Sequence, residues 1–204
     1  MRSAGGALEE KAFSETPSGR RPMKGTPARG IRTECVLGVT SLLTALHVAG
    51  EPVLPLLGRT PGALARGEWW RLITPIFVNR GAWPEIVLNL LAPAALGAVV
   101  ERWYGMRWFL VLYLTAGVVG EVAGCAWKPM GAGSSVSVMG LVGAAAAWFV
   151  LRKRTTWALA FGTVLVMVGL ALTVLRDLHG PPILAGLCLG TTCIWRSGRT
   201  RPTT

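Results

Sequence analysis

Six long apolar stretches constrain this chain more than any motif does. A chain of 204 residues that is 51% hydrophobic and only 15% charged, with a mean hydropathy of +0.48, cannot bury that surface inside a water-soluble globule. Most of the stretches are long enough to cross a hydrocarbon core of about 30 Å, and the last is of marginal length. The sequence therefore predicts an all-α, polytopic membrane protein with six transmembrane helices. These lie near residues 34–50, 84–100, 108–127, 135–151, 156–175 and 181–195.

The distribution of positive charge predicts the orientation of the helices. Fifteen of the 21 lysines and arginines fall in the two tails or in segments that six spans would place on the same side. Because cytoplasmic segments are rich in Lys and Arg, both termini are predicted to be cytoplasmic in a multi-pass protein of the cell membrane. The predicted organisation is a disordered basic tail over 1–32, a six-span membrane domain over 33–196 and a short cytoplasmic tail over 197–204.

The net charge of +11 does not by itself predict a nucleic-acid-binding protein, because the cations cluster beside the apolar stretches. For residues 1–32 alone, binding to anionic lipid or to RNA remains an alternative.

Eight of the nine tryptophans fall at predicted span ends or in loops, as an interfacial aromatic belt requires. The predicted partner is the lipid bilayer, and no nucleic acid is expected.

A serine and a histidine share one predicted depth in the membrane. Ser135 begins the fourth apolar stretch and His179 precedes the sixth, and each lies 17 positions before an arginine, Arg152 or Arg196. At a rise of about 1.5 Å per residue, both side chains would lie about 25 Å from the cationic edge. An imidazole beside a serine hydroxyl can accept its proton during attack on a carbonyl. The pair therefore predicts a serine hydrolase, against the alternatives of a helix N-cap serine and a solvated interfacial histidine.

Polar residues in the second and third stretches are candidates for supporting roles. Glu85 lies 17 residues before Arg102, so the same count places it in the layer of Ser135 and His179, with Asn89 about 6 Å deeper. The Asn89 amide and backbone N–H groups at the start of the fourth helix would hold an oxyanion. Glu85 is expected to be protonated or paired with His179, since an unpaired negative charge would oppose that oxyanion. Glu121 is expected to form a structural hydrogen bond.

The remaining polar and small residues do not predict a metal or a cofactor. The four cysteines fall in or beside apolar stretches without CxxC spacing, which predicts small buried side chains. The glycines recur inside the spans and form no phosphate-binding loop. Gly140 with Ala144, and Gly186 with Gly190, are small residues four apart that predict close packing between the helices of Ser135 and His179.

Several motifs, taken in order, resemble those of the rhomboid intramembrane serine proteases. The resemblance covers roughly residues 34–195 and implies a six-helix core. It also implies that Ser135 is the nucleophile and His179 the general base, supported by Gly133 and Asn89, in an endopeptidase that cleaves transmembrane protein substrates without metal or cofactor. The motifs are Gly67-Glu68-Trp69-Trp70-Arg71 with Thr74-Pro75-Ile76-Phe77, Glu101-Arg102 with Gly105, Gly133-Ser134-Ser135 with Gly140, and His179 with Ala185-Gly186.

The chain departs from the pattern of that family at two positions. A glycine usually follows the nucleophile, where this chain has Val136, and a histidine usually lies four residues before the asparagine, where this chain has Glu85. A catalytically inactive rhomboid-like protein that binds membrane clients is therefore an alternative to the protease. A small transporter is a further alternative, and it would predict matched internal repeats or broken spans, of which the sequence shows neither.

Overall fold

The computed structural model describes residues 31–128 and 130–199, and over these residues the chain is all-helical. One isolated antiparallel bridge joins Arg59 and Gly131. The predicted tail over 1–32 lies outside the described residues except for its last two positions, where the first helix begins. Residues 200–204 of the predicted C-terminal tail also lie outside them.

Each predicted apolar stretch coincides with one helix of the described chain. α5 continues into a π-helical turn, Phe149–Lys153, and three short 3-10 turns lie between α2 and α3. Among the described residues, four helices are long and apolar enough to cross a membrane, namely Trp83–Tyr104, Met106–Trp127, Ser135–Lys153 and Thr156–Val174. The α-helices are α1 Ile31–Val48, α2 Val53–Leu57, α3 Trp83–Tyr104, α4 Met106–Trp127, α5 Ser135–Trp148, α6 Thr156–Val174 and α7 Gly180–Arg199.

Helix α5 is enclosed by its neighbours and packs directly on the backbone of α7. A Cβ added to Gly186 of α7 would overlap the carbonyl oxygen of Gly140 in α5. A Cβ added to Gly190 would lie 3.0 Å from the Cα atom of Ala144. The predicted small-residue packing is therefore confirmed. Because lipid tails are as apolar as side chains, such close approach is a main source of attraction between membrane helices.

Helix α6 lies at the periphery and presents large apolar side chains to its surroundings. Leu159, Val164 and Met167 are all more than half exposed. Trp157 at the start of α6 is 86% exposed and Trp195 near the end of α7 is 63% exposed. Exposed apolar helix faces with tryptophans near their ends suit contact with a bilayer rather than with water.

The cysteines do not follow the prediction that all four are buried. Cys193 is buried and Cys125 is half-buried, whereas Cys35 and Cys188 are exposed on their helices. The prediction failed because a membrane helix is apolar around its whole circumference, so hydropathy does not reveal which face meets the protein.

Arg71 holds together the long segment between α1 and α3. Its buried guanidinium donates to the carbonyl oxygens of Gly58 at 2.5 Å and Pro55 at 2.8 Å, and also to the Glu68 carboxylate. Thr74 adds a hydrogen bond from its hydroxyl to the Leu57 carbonyl oxygen at 2.7 Å. These contacts satisfy backbone carbonyls that no helix or sheet would otherwise pair.

Arg59 joins this segment to the end of α4. Its guanidinium pairs with the carboxylate of Glu121 and donates to the carbonyl oxygen of Lys128 at 2.9 Å. Its backbone exchanges hydrogen bonds with Gly131 at 2.8 and 3.1 Å. The expected structural hydrogen bond of Glu121 is therefore confirmed, with a partner that the sequence had not indicated. Because both charges are buried, removing either one would leave the other unpaired, which is costly.

Candidate active site

Ser135 is the first residue of α5, and hydrogen bonds hold the residue before it. The Ser134 backbone N–H donates to Asn79 Oδ1 at 3.0 Å. The Ser134 hydroxyl lies 2.8 Å from the carbonyl oxygen of Asn89 and 3.1 Å from Asn79 Oδ1. Ser134 is fully buried and is engaged by the start of α3 and by the segment before it. These contacts determine where α5 begins and therefore where the Ser135 side chain lies.

The Ser135 hydroxyl and the His179 imidazole are in hydrogen-bond contact. Ser135 Oγ lies 3.0 Å from His179 Nε2. His179 immediately precedes α7, and its side chain is 31% exposed. The structure thus brings together the two residues for which the sequence predicts equal depth. The geometry suits proton transfer from a hydroxyl to an imidazole.

Asp177 occupies the other side of the imidazole. Its Oδ1 atom lies 2.6 Å from His179 Nδ1 and accepts the His179 backbone N–H at 3.0 Å. Its Oδ2 atom accepts from Lys128 Nζ at 3.0 Å. Partial burial alone would raise the pKa of this carboxyl. The hydrogen bonds from the His179 amide, Lys128 and the His179 ring outweigh burial and lower the pKa of Asp177 from 3.8 to about 2.

Sequence reasoning missed Asp177, although a signal was present. The residue lies two positions before the candidate base, in a polar break between two apolar stretches, and it is the only aspartate of the chain. Asn79 was missed as well, since a single asparagine in a loop carries no periodic signal.

Gly133 leaves open the space beside the serine where a carbonyl oxygen could lie. A Cβ added to Gly133 would be 3.6 Å from Ser135 Oγ and 3.9 Å from Asn89 Nδ2. The N–H groups in the first turn of α5 have no intrahelical acceptor, because the helix begins at Ser135. The Asn89 amide therefore lies near the space beside Gly133, and amide and backbone N–H donors of this kind can stabilise an oxyanion.

A cavity of about 210 Å³ opens beside the serine and the histidine. Its wall includes three cationic side chains, those of Arg59, Arg80 and Lys128, together with Gly133 and Val136. Among the described residues, no group of three or more His, Cys, Asp or Glu side chains is placed to hold a metal ion. A hydroxyl and an imidazole in hydrogen-bond contact can carry out acid–base and nucleophilic chemistry.

A family model of the Rhomboid domain matches residues 66–196, which is more than half of the chain. The chain belongs to the rhomboid family. It is 37% identical over 106 residues to the rhomboid protease GluP of Bacillus subtilis (strain 168), a match that covers 52% of this chain and 20% of GluP. It is 26% identical over 148 residues to YdcA of the same bacterium, covering 67% of this chain and 73% of YdcA.

The similarity extends beyond bacteria. Rhomboid-like protease 3 of Toxoplasma gondii is 29% identical over 112 residues, which is 53% of this chain and 42% of that protein. The chain thus spans less than half the length of GluP and of the T. gondii protein. Ser135, Asp177 and His179 all fall inside the matched rhomboid domain.

The valine that follows the serine in this rhomboid is accommodated by a glycine of α4. Val136 is almost fully buried. A Cβ added to Gly120 would lie 2.7 Å from the Val136 Cβ atom and 2.9 Å from its Cγ1 atom. Gly120 has no side chain, and this leaves room for the Val136 side chain where α4 and α5 touch.

Glu85, the second departure from the rhomboid pattern, lies in the first turn of α3 and is exposed. Its carboxylate folds over Gly81, and none of the hydrogen bonds of Ser135 or His179 involves it. It is Asn89, one turn further along α3, that lies beside Gly133. Counting residues from the cationic ends gives a depth but not the face of the helix, so it does not indicate whether Glu85 contacts His179.

Proposed function

We propose that this rhomboid is an intramembrane serine endopeptidase that cleaves transmembrane protein substrates, with Ser135 as nucleophile and His179 as general base. The observation that carries the proposal is the 3.0 Å contact between Ser135 Oγ and His179 Nε2. A serine hydroxyl is a weak nucleophile at neutral pH, and a base in hydrogen-bond contact is the usual means of activating it. Membership of a family of serine proteases supports the same assignment.

The reaction follows from the positions of these groups. Ser135 Oγ attacks the scissile carbonyl carbon while His179 Nε2 accepts the hydroxyl proton. The Asn89 amide and backbone N–H groups at the start of α5 stabilise the tetrahedral oxyanion. When the C–N bond breaks, the imidazolium gives its proton to the leaving amine and an acyl-enzyme remains. A water molecule, deprotonated by His179, then hydrolyses the ester and frees Ser135.

We further propose that the chain crosses the membrane six times, with α1 and α7 spanning beside the four long apolar helices. Both termini would be cytoplasmic and the site would open towards the external face. The excess of Lys and Arg in the tails and in the segments on the same side supports this orientation. Ser135 begins α5 and His179 immediately precedes α7, at the ends opposite Arg152 and Arg196, which supports this topology.

The second candidate is an inactive rhomboid-like protein that binds membrane clients. Its support is Val136, a β-branched residue directly beside the nucleophile and on the wall of the cavity. The space left by Gly120 weakens that argument, because it accepts the valine away from the serine hydroxyl.

Labelling by a fluorophosphonate and cleavage of a panel of single-span substrates test the proposal. Ser135→Ala and His179→Ala should each abolish both readouts, and the double variant should be no worse, because the two residues act as a unit. Ser134→Ala is the matched control. It should still label, although loss of its buried hydrogen bonds should cost about 1–2 kcal/mol of stability. Folded wild-type protein that neither labels nor cleaves any substrate would favour the inactive alternative.

A further inference from the structure

We propose that Asp177 is a positioning residue that holds the His179 imidazole in the orientation and tautomer that a general base needs. The site would then work through three residues in line, Asp177, His179 and Ser135. This inference rests on the proposed protease function, and its tests separate the failure of one from the failure of the other.

The tautomer follows from the acceptor on each side of the ring. Asp177 Oδ1 lies 2.6 Å from His179 Nδ1, and an ionised carboxylate can only accept hydrogen bonds. Nδ1 must therefore carry the proton. In a neutral imidazole the other nitrogen, Nε2, then has a free lone pair, and it faces Ser135 Oγ at 3.0 Å. The serine hydroxyl donates along this contact, which is the direction in which its proton must move.

The carboxylate is itself fixed in place by two further contacts. Lys128 Nζ donates to Oδ2 at 3.0 Å, and the His179 backbone N–H donates to Oδ1 at 3.0 Å. Each oxygen thus has a partner, and the carboxylate plane is defined relative to the ring. When His179 accepts the serine proton, the resulting imidazolium faces a negative charge that stabilises it. The Asp177 side chain is 28% exposed, so solvent reduces this effect compared with a fully buried carboxylate.

A purely structural role for Asp177 makes a different prediction. Its contact with the His179 backbone N–H resembles a cap at the start of α7. Asparagine caps helices about as well as aspartate but has no charge, so an amide oxygen in the place of Oδ1 is a weaker acceptor for the Nδ1–H group and does not stabilise an imidazolium. Asp177→Asn therefore keeps the cap and weakens the positioning.

Steady-state cleavage by full-length Asp177→Asn protein is the first test. We expect kcat to fall roughly 10- to 1000-fold while KM stays close to that of the wild type and the variant remains folded at the assay temperature. Glu51→Gln removes an exposed carboxylate from the segment between α1 and α2, and it should leave kcat unchanged. If the wild type is active and Asp177→Asn has the same kcat, the positioning role of Asp177 is wrong, and the proposed protease function still holds.

The tautomer can also be measured without any activity. The chain has two histidines, so ¹⁵N NMR of the histidine-labelled protein gives two ring spin systems, and His47→Gln assigns them. We expect the proton of His179 on Nδ1 in the wild type, and a shift of the population towards Nε2–H in Asp177→Asn. A wild-type ring protonated on Nε2 would overturn the inference. A wild type that is inactive but carries the His179 proton on Nδ1 would support the positioning by Asp177. The same result would contradict the proposed protease function.

Discussion

Three serines within four positions have three different environments. Ser134 is buried and bonded to the residues around it, whereas Ser135 faces His179 at 3.0 Å. Ser137 is also buried and faces α4, where a Cβ added to Gly117 would lie 2.5 Å from its hydroxyl oxygen. Two positions along a helix correspond to a rotation of about 200°, so Ser135 and Ser137 cannot share one face. At the scale of a residue, the direction of a side chain decides which hydroxyl can react.

Gly133→Ala should slow the reaction, and it should also cost some stability, because the φ of +157° at Gly133 is rarely adopted by alanine. The added methyl group would lie 3.6 Å from Ser135 Oγ and 3.9 Å from Asn89 Nδ2, in the space proposed for the oxyanion. Losing one oxyanion donor costs about 100-fold or more in kcat, so partial obstruction should cost at least about 10-fold. Cleavage rates and thermal unfolding, measured on the same preparation, test this. Full activity would show that the carbonyl oxygen binds elsewhere.

The stability that Asp177 contributes should depend on pH with a definite sign. Its pKa in the folded protein, about 2, lies below the ordinary value of 3.8, so folding favours the ionised form. The contribution is therefore complete above about pH 5 and is lost as the pH falls through 2. The difference in unfolding free energy between the wild type and Asp177→Asn should shrink over this range. A difference that stays constant or grows on acidification would contradict the ion pairs seen at this carboxylate.

At the scale of the element, α5 is held where small residues let other helices approach its backbone. Gly140 and Ala144 meet Gly186 and Gly190 of α7. Because Ser135 begins α5 and His179 immediately precedes α7, the same contact that stabilises the bundle also sets the distance between these two side chains. In the proposed protease, packing and catalysis would be coupled through one helix pair.

Gly186→Ala should separate these two helices. The added Cβ would overlap the Gly140 carbonyl oxygen, which is backbone and cannot turn aside. Overpacking of this kind costs about 1–3 kcal/mol, and we expect loss of fluorophosphonate labelling as the serine and histidine move apart. Gly38→Ala in α1 is the control, since nothing lies within 4 Å of its added Cβ. Wild-type stability and labelling in Gly186→Ala would contradict the direct backbone contact.

At the scale of the whole molecule, the segment between α1 and α3 contributes Arg59 and Arg80 to the cavity wall and is bonded to the helices. Arg59 joins it to Glu121 of α4, and Arg71 joins its own turns together. Arg59 also forms part of the cavity wall beside Ser135. The position of this segment therefore shapes the cavity beside Ser135.

Reporter fusions test the proposed topology. A fusion after Thr204 should report the cytoplasmic side, and an insertion after Gly62, in an exposed turn, should report the external side. The expectation follows from the distribution of Lys and Arg and from six crossings. Reporters on the same side would mean an even number of crossings between Gly62 and Thr204, in place of the proposed five.

The positions of the helices could be predicted because hydropathy is a property of consecutive residues. A bilayer requires every backbone polar group to be satisfied within the segment that crosses it, so a long apolar stretch has to be helical. The equal depth of Ser135 and His179 could be predicted for a related reason, since a regular helix converts residue number into distance. The environment of Glu85 could not be predicted in this way, because residue number gives a depth but not the face of the helix that meets the protein, and the Glu85 side chain is exposed.

The sequence by itself determined that this chain forms apolar helices, which residues begin them, and which serine and histidine share a level. Only the tertiary structure decided that Asp177 contacts His179, that Arg59 pairs with Glu121, and that Gly120 makes room for Val136. Each of these pairs joins side chains from different elements or from an irregular turn. Their distances depend on how helices tilt and rotate against one another, and small residues at the helix contacts determine that arrangement.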